Sequence, residues 1–217
     1  MHRNTKVSEI MNIALYQIGS DEKQECAHLL SRCFAQDPLF LALLPEEEMR
    51  AKLLPVFFEC YLDMTFPYCS YYADSEEMNG VISVWEHRER FPYLRYLMSS
   101  ALGWGRFAAA VLRADPSAKT LLHIFRNRRF LSSEWESKLP QEAEMHIDFF
   151  AVRPEKQGLG MGQRLMSAVL AAADRDGLTV ALETHNFRNV GLYRHFGFRL
   201  FTRFGEAQKV TQYCMVR

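Results

Sequence analysis

Three glycines at alternate positions, Gly158, Gly160 and Gly162, form the most distinctive chemical feature of the 217-residue sequence. They follow a strand-like run and precede a helical pattern. Glycine allows backbone conformations in which successive N–H groups point toward one anion, and the positive end of the following helix adds to the attraction. The segment 157–162 therefore predicts a turn that binds phosphate.

Two well-known phosphate-binding motifs do not fit this segment. A Walker loop would end in Gly-Lys-Ser or Gly-Lys-Thr, and no such sequence follows. In a dinucleotide fingerprint the third glycine would fall at position 163, where Gln163 stands. Too little chain follows the turn to build the second half of a dinucleotide-binding fold, so another kind of phosphate site is expected.

The elements around the turn form a strand–helix–strand pattern. Strand character runs from His146 to Val152, apolar residues then repeat at helical spacing, Gly177 ends the helix, and 179–182 form another short strand. A short helix near 189–195 and strands over 198–204 and 210–216 complete the C-terminal part. The turn is thus held between two strands and a helix.

The N-terminal part predicts a strand over 13–18 and a hairpin of strands over 68–73 and 80–85. Between them we expect one helix that ends at Pro38 and another from Pro45 to about Met64, kinked or divided at Pro55. From Arg88 to Glu142 the pattern is helical, with ten Lys or Arg against five acids. This basic insert separates the third strand from the fourth.

Composition places limits on partners and location. Lys and Arg number 26, as do Asp and Glu, so no overall field draws the chain to nucleic acid or to a membrane surface. The five cysteines lack metal-binding or redox spacing, and neither a secretory signal nor a long apolar run is present. We expect one cytoplasmic domain over 1–217, without nucleic-acid or membrane partners.

The motif Gln157-x-x-Gly160-x-Gly162 resembles the Gln/Arg-x-x-Gly-x-Gly/Ala signature of the GCN5-related N-acetyltransferase (GNAT) superfamily. The lead-in 149–154 and the segment with Leu182, Glu183 and Thr184 are similar to that family as well, as are further positions of the closing segment: Asn186, Asn189, Tyr193, Gly197 and Phe198. Segments 34–38 and 80–85 and the final Tyr-Cys-Met-Val-Arg resemble a branch that includes puromycin N-acetyltransferase.

The resemblance implies an α/β (α+β) GNAT fold. Its mixed, mostly antiparallel sheet of about seven strands would splay between strands 4 and 5, with helices on both faces. Acetyl-CoA would enter the gap as cosubstrate, and no metal is implied. The positions that would bind it are Phe150, Ala151, Val152, Gln157, Gly158, Leu159, Gly160, Met161, Gly162, Asn186, Asn189 and Tyr193. The two asparagines could equally be ordinary turn and cap residues.

Catalytic candidates follow from the same resemblance. Tyr193 matches the position that protonates the coenzyme A sulfur. A tyrosine hydroxyl, with a pKa near ~10, is nevertheless a weak acid for protonating a thiolate whose thiol has a pKa near ~8.5. The general base stays open between His146, Asp148, Glu183 and a water chain without a dedicated base. His146 lies where histone acetyltransferases of the superfamily place a glutamate, and Asp148 and Glu144 share its side of the strand unless a bulge changes the parity.

The expected activity is transfer of an acetyl group to the primary amine of a small molecule by direct attack in a ternary complex. The insert 88–143 would cover the acceptor, and Arg126, Arg128 and Arg129 could meet the ribose phosphate of coenzyme A or an acidic acceptor. Two alternatives remain: a protein or peptide N-acetyltransferase, and a non-catalytic acyl-CoA-binding sensor. The sequence leaves open whether the chain is a monomer or a homodimer.

Overall fold

A computed structural model of the chain describes residues 14–86, 92–139, 143–206 and 210–217. Its centre is a seven-stranded sheet, and all pairs of neighbouring strands are antiparallel except β4 and β5. The spatial order is β1-β2-β3-β4-β5-β7-β6. The strands are β1 (Tyr16–Gln17), β2 (Cys69–Ala73), β3 (Gly80–Glu86), β4 (Met145–Val152), β5 (Val180–Thr184), β6 (Arg199–Glu206) and β7 (Val210–Val216). This is the mixed, mostly antiparallel sheet that the sequence predicted.

Helices cover both faces of the sheet. Three precede β2, namely α1 (Lys23–Phe34), α2 (Pro38–Leu43) and α3 (Glu47–Thr65). The insert between β3 and β4 contributes α4 (Tyr93–Ala114), α5 (Lys119–Asn127) and two 3₁₀ turns, Arg128–Leu131 and Glu134–Lys138. A third 3₁₀ turn, Pro154–Lys156, leads into α6 (Met161–Asp176), and α7 (Phe187–His195) follows β5.

The two faces bury separate cores. On one face, α1 to α5 pack over alternate strand residues such as Tyr71, Val81 and Ala151. On the other, α6 and α7 bury Ile82, Val84 and their neighbours. Because strand side chains alternate between faces, each strand serves both cores. We call the first the insert face and the second the α6 face.

The parallel strands β4 and β5 pair only at their beginnings. The register runs from Met145–Val180 to Ile147–Leu182 and ends there. Beyond Ile147, residues 150–152 of β4 still pair with β3, but no described residue pairs with β4 on the β5 side. The strands therefore form a fork, as expected for strands 4 and 5.

A bulge in β4 lies at this fork. Ile82 pairs with Phe150 and Val84 with Ile147, so β4 carries one residue more than β3 between these pairs. The Phe149 N–H donates to the Ser83 hydroxyl at 2.8 Å. Asp148 and Phe149 consequently both face the insert side, together with His146, and the alternation resumes beyond them.

Some elements differ from the expectation. β1 has only two residues, and residue 13 lies outside the described ranges. Pro55 lies inside α3, which continues undivided for 19 residues. The short helix α2 was not expected; Asp37 caps it by accepting from the Leu39 N–H at 2.9 Å, and Pro38 begins it.

The insert is helical over its described part, 92–139, whereas 88–91 and 140–142 lie outside the described residues. Its helix α4 packs on α3 at the buried Gly103, where a side chain would collide with Met64. All five cysteines are free thiols. Among the described residues, none of the helices combines the length and apolar character needed to cross a bilayer.

Candidate active site

A cavity opens where β4 and β5 separate. Its walls include Asp148 and Phe150 from β4, Glu183 from β5, and residues of the helices on either face of the sheet, such as Tyr61 of α3 and Tyr193 of α7. Because residues from both faces of the sheet line it, the cavity passes through the plane of the sheet at the fork. It can therefore receive one reactant from each face.

On the insert face, three side chains of alternating charge contact one another in the order Glu136, His146, Glu183, and Glu183 lines the cavity. We call these three residues the charged chain. The Nδ1 atom of His146 contacts the Glu136 carboxylate, and its Nε2 atom lies 3.3 Å from an oxygen of Glu183. Glu183 also accepts from the Ser133 hydroxyl at 2.6 Å and from the Trp135 indole at 3.2 Å. Glu183 lines the cavity, whereas His146 lies buried behind it.

Burial and charge act on these groups in opposite directions. Burial alone would lower the pKa of His146, but Glu183 and Glu136 outweigh it and raise that pKa to about 9. Burial raises the pKa of Glu183, against the opposing effect of His146. At neutral pH the imidazole is therefore charged and holds a carboxylate at the edge of the cavity.

Asp148 provides a second carboxyl group on the same wall. The Tyr61 hydroxyl donates to it at 2.7 Å. Burial raises the pKa of Asp148, while His146 and the tyrosine hydrogen bond oppose this. A third carboxyl, Asp37, lines the cavity too, and burial raises its pKa to about 6. Three acids, Asp37, Asp148 and Glu183, therefore line this cavity.

Tyr193 reaches the cavity from the α6 face. It is buried in the core of that face, and its ring packs against Phe150 at 6.5 Å and Phe198 at 6.0 Å between centroids. Burial, with the charges of Asp37 and Glu183, raises the pKa of Tyr193 well above its usual value. The hydroxyl thus stays protonated and is available as a donor.

The glycine turn follows the free half of β4. Gly158 and Gly160 have positive φ angles of 78° and 82°, and a side chain at either would point into open space. Gly162 is glycine for another reason, because a Cβ there would lie 3.2 Å from the Phe150 ring. In the described chain the first backbone bond of α6 runs from the Arg164 N–H to the Gly160 carbonyl. The amides ahead of it remain available for an anion.

A comparison with protein-family models places these features in context. Residues 49–198 match the model of the acetyltransferase (GNAT) family, which is more than half of the chain. The chain belongs to the GNAT acetyltransferase family. The predicted identity, a GNAT-type N-acetyltransferase enzyme, is thereby confirmed at the level of the family.

Solved structures share the GNAT fold at low sequence identity. One, from Corynebacterium glutamicum, is described as histone acetyltransferase HPA2 and related acetyltransferase; it is 17% identical over 94% of each chain, with a TM-score of 0.65. An agmatine N-acetyltransferase mutant in its apo form is 16% identical over 94% of this chain and 97% of its own, at 0.51. A mosquito arylalkylamine N-acetyltransferase like 5b is 12% identical over 94% and 98%, also at 0.51. A search of curated proteins gave no match.

The structure also locates the other residues for which the GNAT resemblance predicts cofactor binding. Asn189 lines the cavity and its amide lies 3.4 Å from the Thr184 hydroxyl. Asn186 is the N-cap of α7, where its side-chain oxygen accepts from the Arg188 N–H. Gln157 donates to the Val152 carbonyl at 3.2 Å, and Ala151 is buried on the insert face. Leu159 lies in the turn, and Met161 is the first residue of α6.

The charged chain could be considered as a metal site. Ligand atoms of Glu136, His146 and Glu183 all lie within 4.8 Å of one another. The carboxylates, however, approach different nitrogens of the imidazole. A single metal ion requires ligand atoms that converge on one point, so the arrangement favours two ion pairs that share the imidazole over coordination.

Sequence reasoning missed Glu136, Tyr61 and Asp37 as members of the site. Asp37 had a usable signal, since an aspartate before a proline is a typical helix start. Tyr61 follows Leu54, Phe57 and Phe58 at helical spacing, and the hydroxyl among apolar residues could have marked it. Glu136 had no signal, because only the tertiary fold places the insert over His146.

Proposed function

We propose that this GNAT protein transfers the acetyl group of acetyl-CoA to the primary amine of a small molecule by direct attack in a ternary complex. The observation that carries the proposal is the cavity at the strand fork. It has carboxyl groups on one wall and a protonated tyrosine on the other. Amine acylation by a thioester needs both a proton acceptor and a proton donor.

The residues around the fork fit acetyl-CoA. Open space beside Gly158 and Gly160 and the available amides of the turn suit a diphosphate. Phe150 and Val152 do not pair with β5, so their backbone offers a strand edge to the amide groups of pantetheine, and Asn189 faces the cavity. The Val152 carbonyl already accepts from the Gln157 side chain. When bound, acetyl-CoA supplies the activated acetyl carbon. Asn186 contributes less directly, because its oxygen is already engaged in the cap.

Among the open candidates for the base, Glu183 is the residue we assign. It lines the cavity and its burial raises its affinity for a proton, whereas His146 is already charged at neutral pH and lies behind it. His146 and Glu136 then position Glu183 and stabilise its charge. Asp148, fixed by Tyr61, holds the incoming ammonium next to Glu183.

The proton movements balance in this assignment. Glu183 accepts a proton from the substrate nitrogen, which allows that nitrogen to bond to the acetyl carbon. As the carbon–sulfur bond breaks, Tyr193 donates its hydroxyl proton to the sulfur and receives the second proton that the nitrogen, now bonded to carbon, must lose. The products are the amide, the free thiol of coenzyme A and a restored tyrosine hydroxyl, and the proton on Glu183 passes to solvent. Because burial makes Tyr193 a weaker acid, its contribution is mainly that of a positioned hydrogen-bond donor.

The test combines binding with turnover. Calorimetry should detect binding of acetyl-CoA, and thiol release should depend on an added amine from a panel of small amines and peptides. Turnover confined to peptides would favour the protein acetyltransferase. A tight complex that no amine discharges would favour the acyl-CoA sensor. Absence of acetyl-CoA binding would contradict the whole proposal.

We treat residues 1–217 as one domain whose insert covers the acceptor, working in the cytoplasm as a monomer or homodimer without nucleic-acid or membrane partners. The insert supports this, since its Trp104, Phe130 and Leu131 line the cavity. Sedimentation of the purified chain would distinguish the two oligomeric states.

A further inference from the structure

A second, larger depression lies on the insert face and adjoins the cavity. We call it the insert groove; its aromatic lining includes Trp104, Phe107, Phe125, Trp135 and Phe204. Trp104 and Leu131 line both the groove and the cavity, so the two spaces share a wall. The groove also runs past the 3₁₀ turn that carries Trp135, a donor to Glu183.

The charges of the groove are opposite to those of the cavity. Its described lining contains Arg126, Arg128, Arg129 and Lys138, and the single acid among those described residues is Glu134. All four cations are exposed, and within the described ranges no carboxylate forms an ion pair with them. Arg128 stacks over the Phe125 ring at 3.8 Å from the centroid, which holds one guanidinium against the aromatic lining.

The groove is poorly placed for the phosphates of coenzyme A. Thr202 and Phe204 of β6 form its far side, and β6 is the edge strand, separated from β4 by β5 and β7. Phe204 packs on the insert face with Trp135 and Cys214. The glycine turn instead begins α6, which packs on the opposite face of the sheet. The cations are therefore free to meet a different anion.

We propose that the acceptor is a zwitterion: an amine that enters the acidic cavity, with a carboxylate or similar anion at its far end that binds the cations of the insert groove. This inference rests on the proposed function and specifies its substrate class. The acids Asp37, Asp148 and Glu183 attract the ammonium end, and the guanidinium groups bind the anion by charge-assisted hydrogen bonds. The aromatic lining receives the apolar segment between them. Diamines and polyamines are disfavoured, because their second cation would meet Arg126, Arg128 and Arg129.

The test uses the full-length protein and a length series of ω-amino acids, from γ-aminobutyrate to ω-aminooctanoate. Each is compared with its methyl ester and with the diamine of equal length, in the same thiol-release assay. We expect kcat/KM for the best amino acid to exceed kcat/KM for its ester and for its diamine by about tenfold or more. A factor of this size corresponds to the free energy of one hydrogen bond to a charged group. The double variant Arg126→Glu/Arg129→Glu should abolish this preference and leave KM for acetyl-CoA unchanged.

Arg113→Glu is the matched control, since Arg113 is an exposed arginine of α4 that does not line the groove. It should keep the preference, and all variants should unfold at the temperature of the wild type. Equal or faster turnover of esters or diamines would overturn the inference while leaving the proposed function intact. A raised KM for acetyl-CoA in the double variant would assign the groove to coenzyme A instead. No turnover with any amine would contradict the proposed function itself.

Discussion

His146 lies between two carboxylates, with Glu136 on its Nδ1 side and Glu183 on its Nε2 side. A buried imidazole would ordinarily be neutral, since burial disfavours charge. Here the two carboxylates reverse that preference and raise the pKa to about 9. The charge on His146 thus depends on Glu136, a residue that does not touch the cavity, and this dependence can be measured.

The substitution Glu136→Gln should lower the pKa of His146 from about 9 toward its usual value of 6.5, because one of the two flanking charges is removed. Proton NMR titration of the imidazole measures this directly. In the proposed reaction the alkaline limb of the kcat/KM profile should move to lower pH as well. Glu134→Gln, an exposed residue of the same 3₁₀ turn, serves as control and should change neither. An unmoved titration would contradict the coupling.

Tyr193→Phe should reduce kcat by about 10²-fold, the lower end of the range for a proton-transfer group, with little change in KM for acetyl-CoA. The ring keeps its packing against Phe150 and Phe198, so the folded structure should persist. Tyr213→Phe is the control, because Tyr213 packs on Phe187 outside the cavity. A full rate for Tyr193→Phe would exclude the hydroxyl as donor.

The fork and the glycine turn act together as one structural element. β4 leaves β5 after Ile147, and the free half of β4 leads through a 3₁₀ turn into the glycines. Two-residue alternation places His146 and Asp148 on the same face, and the bulge that follows adds Phe149 to that face and turns Phe150 to the other. Backbone geometry therefore determines which groups reach the cavity from each side.

At the glycine turn, Gly160→Ala should weaken acetyl-CoA binding by about tenfold, since a left-handed conformation costs an L-residue about 1–2 kcal/mol and the turn would relax. Calorimetric titration measures the change. Gly105→Ala is the matched control: it lies in α4 with open space around it and should stabilise the helix by roughly 0.5–1 kcal/mol. Unaltered binding by Gly160→Ala would contradict the role of this turn.

The elements that could be predicted from the sequence are those with local signals. The hairpin β2–β3, the helix α6 and its end at Gly177 follow from alternation, helical spacing and a glycine with a φ of 66°. Pro55 was expected to kink or divide α3; the division does not occur, because the helix packs into the core on both sides of Pro55 and continues. Local propensity was overridden there by tertiary packing.

The candidate site was predictable only in part. The turn, Tyr193 and the acids of β4 and β5 lie in one contiguous segment whose pattern is short-range. The partner of His146 could not be found in this way, because Glu136 approaches it only after the insert has folded back over the sheet. The groove likewise needs β6 and α5 together, which are far apart in the sequence.

At the scale of the molecule, the charged chain should make stability depend on pH. The pKa of His146 is about 9 in the folded protein against 6.5 when unfolded, so its stabilising effect is complete below about 6.5 and is lost as pH rises through 9. We expect the free energy of unfolding to fall by on the order of 1–3 kcal/mol across that window. Urea unfolding at several pH values measures it.

His146→Gln provides the comparison for this measurement. It should be less stable than the wild type at pH 6.5, because two half-buried carboxylates lose their shared cation, and its stability should vary less between pH 6.5 and 9. A wild-type curve that is flat or rises through this range would show that the imidazole is not held in its charged form.

The half of β4 beyond Ile147 has a further consequence for handling the protein. Backbone donors and acceptors that lack a neighbouring strand can join a strand from another molecule, which is the first step of intermolecular β pairing. A thioester bound along that edge would occupy the same groups. Preparations stripped of coenzyme A should then aggregate sooner than saturated ones, and amide hydrogens of the free half of β4 should exchange faster in them.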